Sequence, residues 1–360
     1  MIGSIIIYTV VLAICVVGTY FADQKNKKWI LWCVIAFITL FSGLRGVQVG
    51  IDTASYLEKF AAIAGNRLDE AYALEETFKY ICYVLLRICD RPWFLLTLFA
   101  LVTNGCILLR LWDMRKVASL PWMVAVYYMS YYFMTLNCMR QFCAVAIVFY
   151  ATRFLEEKRI IPYVVCVLTA AMFHKSAVVS LVLVFLLLFY WKSLTKKQKA
   201  FFQMVIRAIP VLLIVAIIFL RKSIIYYLQK FHLSLGMMIP AKIVFALAAL
   251  IYIFIICENS YFSWKAKELS SRARVSFTII NCTYLLGLFV SMLGYMFMFV
   301  ERLGWYFIIF ECPFFGMIMK ARNRKIRICA GTFLALLLGY IYMYSMLHNS
   351  QGTIPYALCW

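Results

Sequence analysis

Three arginines stand in strongly apolar surroundings: Arg45 in FSGLRGVQVGIDTASY, Arg140 in LNCMRQFCAV and Arg302 in FVERLGWYF. A guanidinium offers planar, bidentate donation to phosphate and keeps its charge at any accessible pH. A group of them would clamp a diphosphate and stabilise it as a leaving group. His174, in AMFHKSAV, supplies an imidazole able to take a proton near neutral pH,. Asp52 lies in the first motif, with Tyr56 four residues beyond it. His174 is the candidate base. Asp52 orients an arginine or an acceptor hydroxyl, or is itself the base. Tyr56, Gln141, Lys175, Glu301 and Tyr356 are further candidates for substrate contact. Each motif also has a plainer explanation. An arginine at a helix end can snorkel to headgroups, a histidine can be structural, and Glu301-Arg302 can be a local ion pair. No D-x-D pair and no C-x-x-C pair occurs, and the thirteen cysteines are scattered through apolar runs. Neither a metal site nor a cofactor is expected.

The elements that must position these residues are apolar. The chain is 66% hydrophobic and only 14% charged, with mean hydropathy +0.89, too little polar surface for a soluble domain of 360 residues. The pattern predicts an all-α polytopic membrane helix bundle forming one integral membrane domain over 1–360. Spans are expected near 3–22, 29–45, 92–110, 118–137, 138–155, 160–173, 176–191, 201–220, 240–257, 275–299, 303–319 and 328–347, about twelve in all. Residues 1–22 lack a basic start and a small-residue cleavage site, and read as a retained helix. Segment 74–89 carries Phe78, Ile81, Cys82, Leu85 and Leu86 at helical spacing among charges, which predicts an interfacial helix,. The longer outer loops are about 46–75 and 221–239.

The net charge of +21 sits in short turns between spans, which points to anionic lipid and topology rather than nucleic acid. If 74–89 does not cross, the basic clusters at 25–28, 110–116, 158–159, 192–199, 265–274 and 322–327 share one face. The positive-inside rule makes that face cytoplasmic. Both termini then lie outside, and Arg45, Asp52, Arg140, His174, Arg302 and Tyr356 fall at the outer ends of their helices. A lipid-linked diphosphate sugar suits such a site: its tail dissolves in the bilayer, its phosphates sit at the interface and its glycan faces outward.

GLRGVQVGIDTASY resembles the G-x-R…G-x-D-[ST]-x-x-Y signature of the EpsG family of Wzy-like polysaccharide polymerases. CMRQFCAVAI and AMFHKSAV are similar to that family's second and third motifs, and ERLGWYF and the terminal IPY also look familial. The resemblance runs from about residue 41 to 356, in family order. It implies a membrane glycosyltransferase that joins undecaprenyl-diphosphate-linked repeat units into exopolysaccharide, capsule or O-antigen outside the bacterial cytoplasmic membrane. Arg45, Arg140 and Arg302 would bind the diphosphate. Membrane lipid is the constant partner, and a flippase and a chain-length regulator are the candidate protein partners. A lipid-oligosaccharide flippase and an O-antigen-type ligase are the alternatives. Arginines in a cavity also suit a transporter, although no internal repeat of the transporter kind is visible.

Overall fold

The computed structural model describes residues 1–71, 74–185, 271–294, 298–320 and 324–359. Nine helices cover the first stretches: α1 Ile2–Gln24, α2 Lys28–Gly43, α3 Thr53–Ala64, α4 Glu76–Leu86, α5 Pro92–Met114, α6 Leu120–Ser130, α7 Tyr132–Asn137, α8 Met139–Glu156 and α9 Ile160–Phe173. A 3-10 turn over Lys175–Leu181 follows α9. The later helices are α10 Ser271–Gly294, α11 Met298–Ile308, α12 Glu311–Ile318 and α13 Arg324–Leu347. No β-strand occurs among the described residues; one isolated bridge pairs Arg45 with Leu358.

Residues Met1–Ser180 and Glu311–Trp360 form one compact unit and Leu181–Phe310 a second. In the first unit, α5 packs against α2 and α8, α8 against α9, and α6 against α1, α12 and α13. The apolar helices at its edge are apolar all round but buried along one stripe. In α1 the buried residues are Ser4, Tyr8, Val11, Cys15, Thr19 and Ala22, spaced three or four apart, while Ile6, Val10, Ile14, Val17 and Phe21 are exposed. In α9, Tyr163, Val167 and Ala170 face inward and Ile161, Val165, Leu168 and Met172 face out. A helix with apolar side chains on its exposed face is built for lipid, not water.

Among the described residues, three helical stretches are long and apolar enough to cross a bilayer: Ile2–Gln24, Pro92–Met114 and Arg327–Leu347. Helices α2 and α9 are apolar but shorter, at 16 and 14 residues. The expected run 118–137 divides at Tyr131 into α6 and α7. The expected run 303–319 divides into the end of α11 and the whole of α12. The expected spans at 201–220 and 240–257 and the loop at 221–239 lie outside the described residues.

Segment 74–89 folds as α4, whose inner face is Phe78, Cys82 and Leu86. The expected loop at 46–75 is only partly a loop. Its second half forms α3, which buries Tyr56, Phe60 and Ile63 at spacings of four and three, and a short 3-10 turn over Leu68–Glu70. The apolar positions of α3 and α4 meet each other and α5. Rings of Phe60, Phe78, Phe99 and Phe173 stand 5.2 to 6.4 Å apart.

Within the first unit the two ends differ. At one end, the Tyr8 hydroxyl donates to Thr353 O at 2.9 Å, and Asn137 Nδ2 donates to Gln351 O at 2.9 Å. The chain's first residues, the motif after α2, the start of α8 and the C-terminal segment therefore gather there. At the other end, Arg115 approaches Asp23 at 3.8 Å and donates to Asn26 Oδ1 at 2.9 Å, and Lys320 donates to Arg115 O. In the second unit, α10 and α11 lie close enough at Gly287 that an added Cβ would stand 2.5 Å from Ile308 N.

Candidate functional site

The motif after α2 is held by backbone bonds to the C-terminal segment. Gly46 N–H donates to Ala357 O at 2.7 Å, Gly50 N–H to Gly352 O at 2.8 Å, and Cys359 N–H to Leu44 O at 2.9 Å. Tyr356 stacks on Phe41 with centroids 4.3 Å apart, and its hydroxyl donates to Phe41 O at 2.9 Å. Gly50 has φ +97°, and an added Cβ would meet Asn137 Oδ1 at 2.8 Å and Thr53 Oγ1 at 2.9 Å. A residue with a side chain is therefore both strained and crowded there. Tyr356, expected to touch substrate, sits within this strap.

Arg45 lies inside that frame, 2% exposed. Its Nη1 donates to Ser42 O at 2.6 Å and its Nη2 to Leu136 O at 2.9 Å. Its Nε reaches Thr53 Oγ1 at 3.2 Å and Val49 O at 3.3 Å. Ser42 is in the last turn of α2 and Leu136 in the last turn of α7, where carbonyls have no intrahelical partner. Arg45 thus caps two helix C-termini, where a cation also suits the helix dipole. The guanidinium expected on a diphosphate is directed at the protein's own oxygens.

Arg140 is placed oppositely. It is the second residue of α8, where the positive end of the helix adds to its own charge. That combination favours an anion. The resident anion is Glu75, whose Oε2 pairs with Arg140 Nη1; the two side chains are 15% and 18% exposed. Arg140 Nε also donates to the Tyr56 hydroxyl at 3.3 Å, and the guanidinium lies over the Phe78 ring, 5.7 Å from its centroid. Burial pushes the Tyr56 phenol above its ordinary value, and Arg140 partly offsets that. Tyr56 N–H donates to Asp52 O at 3.0 Å, so the two residues stand one turn apart on the same side of α3. The half-buried Asp52 donates its own N–H to Asn137 Oδ1 at 3.4 Å. Gln141 is buried beside Arg140.

His174 joins the same end through α4. Thr77 Oγ1 donates to Met172 O at 2.9 Å, and Phe173 packs edge-on against Phe78. The end of α9 is thereby fixed on the helix that begins after Glu75. His174 follows in extended backbone, with Nδ1 2.6 Å from Ser176 Oγ, and Lys175 is exposed. The first unit therefore brings Asp52, Tyr56, Arg140 and the His174 turn around α3 and α4. Glu301 and Arg302 belong to α11 of the second unit.

Glu75 and Asn137 are members of this cluster that motif reading passes over. Glu75 looks like one more charge on an interfacial helix. The available signal was charge balance, since an arginine in apolar surroundings requires a partner. Among the described residues no group of His, Cys, Asp and Glu could hold a metal ion.

An all-helical scaffold with apolar, lipid-suited faces defines a membrane-type protein. The EpsG family model matches residues 28–358. The chain belongs to the EpsG family, which carries a polysaccharide-polymerase-like role. No curated protein and no solved structure matches the chain.

Proposed function

We propose that the protein is a glycosyltransferase of the bacterial cytoplasmic membrane. It polymerises undecaprenyl-diphosphate-linked oligosaccharide repeats into exopolysaccharide, capsule or O-antigen at the outer face, with both termini outside. The observation that carries this reading is Arg140: a guanidinium at the N-terminus of α8, on the side where α3 and α4 gather. The growing chain on its lipid diphosphate is the donor. A hydroxyl of the incoming lipid-linked repeat attacks the anomeric carbon, and the bond from that carbon to the diphosphate oxygen breaks. The electron pair leaves with the diphosphate, whose charge Arg140 stabilises. The acceptor proton goes to His174, or to Asp52 in the rival assignment.

Arg45 acts here as a positioning residue. It joins the ends of α2 and α7 and so sets the loop that presents Asp52 and the helix carrying Tyr56. Glu301 and Arg302, in the second unit, carry no part of this reading. Purified protein in detergent, supplied with lipid-linked repeats, should lengthen them. Arg140→Ala and His174→Ala, each checked for membrane insertion, should abolish lengthening. Polymer of normal length from both variants ends this mechanism, and movement of repeats across vesicles without lengthening favours a flippase.

A further inference from the structure

Resting on the diphosphate reading above, we infer that Glu75 is a competing anion. It holds Arg140 in the empty protein, is exchanged for the lipid diphosphate on binding, and returns to help expel the diphosphate product. The geometry supports exchange rather than a fixed strut. Arg140 rises from α8, a helix buried on nearly every face, and is further located by Tyr56 and the Phe78 ring. Glu75 stands at the entry to α4 and makes no capping bond to that helix. Its carboxylate pairs with Arg140, while the next residue, Glu76, pairs separately with Lys79 at 2.8 Å. When a diphosphate takes Arg140, the displaced carboxylate remains beside the first turn of α4, whose N–H groups and dipole suit a negative charge. The helix itself need not move, because Thr77 and Phe78 keep it on α9.

A carboxylate brings one charge and two oxygens to the guanidinium. A diphosphate brings more of both, so it can displace the carboxylate while still losing affinity to the competition. The consequence has a sign that a structural ion pair would not produce. Removing a strut disorders Arg140 and weakens anion binding. Removing a competitor strengthens it.

The probe is a short-chain isoprenyl diphosphate titrated into the full chain in detergent. Glu75→Gln should bind it about tenfold more tightly than wild type, a change of about 1.4 kcal/mol. Glu75→Asp, with a shorter reach, should show a smaller gain in the same direction and keeps the test open if the glutamine variant fails to fold. In an Arg140→Met background the Glu75→Gln gain should vanish. If Arg140→Met weakens binding but neither Glu75 variant tightens it, the exchange is wrong and the diphosphate site stands. If Arg140→Met leaves the affinity unchanged, the diphosphate site is wrong and the exchange falls with it.

Discussion

Replacing Arg45 separates two roles that its sequence context leaves merged. In Arg45→Ala, the oxygens of Val49 and Thr53 still have each other, since Thr53 Oγ1 donates to Val49 O at 2.6 Å. Ser42 O and Leu136 O lose the donors found at 2.6 and 2.9 Å. Each stranded carbonyl in a buried site costs about 1–3 kcal/mol. With the space left by the guanidinium, the expected loss is about 4 kcal/mol, or roughly 8–16 °C in the unfolding midpoint of a unit this large. Arg45→Lys keeps the charge but not the fork, so it should lose roughly half as much. The measurement is thermal unfolding in detergent, followed by titration of an isoprenyl diphosphate at a temperature where both variants are folded. Affinity within about threefold of wild type is expected, because the guanidinium faces protein oxygens. An Arg45→Ala protein that melts with wild type but no longer binds the probe would overturn the capping role and return Arg45 to the diphosphate.

Gly50→Ala should destabilise the first unit by about 1–3 kcal/mol, read as a lower melting midpoint, because its φ of +97° and the 2.8 Å approach to Asn137 Oδ1 leave no relaxed conformer. Arg110 and Glu156 form an ion pair at the far end of α5 and α8, with side chains 0% and 3% exposed. Glu156→Ala strands the buried guanidinium and should cost about 3–5 kcal/mol, whereas the paired change Arg110→Met with Glu156→Leu should restore most of the midpoint. That double variant should also polymerise normally, since the pair lies roughly 16 Å along α5 from the ring that holds α4. Burial raises the phenols of Tyr56 and Tyr356 above their ordinary value. A pKa raised by folding means that stability is complete below the unfolded value and is lost as pH rises past about 10. Melting midpoints measured across that range should fall, and should fall less in Tyr356→Phe.

The charge pattern places the Arg45 loop, Arg140 and the C-terminal segment at one set of helix ends, and in the first unit these, with Asn137, gather at one end. Helix α4 was legible because Phe78, Cys82 and Leu86 repeat at helical spacing. Helix α3 has the same signal in Tyr56, Phe60 and Ile63, but Asp52, Glu58 and Lys59 between and before them make the stretch read as a polar loop. Two partners of Arg45 had no signal at all: Ser42 and Leu136 take part through carbonyls, which every residue has.

Arg45 and Arg140 look alike as sequence, each a cation set against apolar residues. What separates them is the helix end each one meets. Two helix C-termini supply Arg45 with oxygens and partial negative charge, so its requirement for an anion is met by the backbone. Arg140 begins a helix, and the dipole there adds to its charge instead of opposing it. Its requirement must be met from outside α8, by Glu75 or by a ligand with more negative charge than a carboxylate. An arginine at a membrane boundary therefore signals an anion site when it opens a helix, and a structural cap when it closes one.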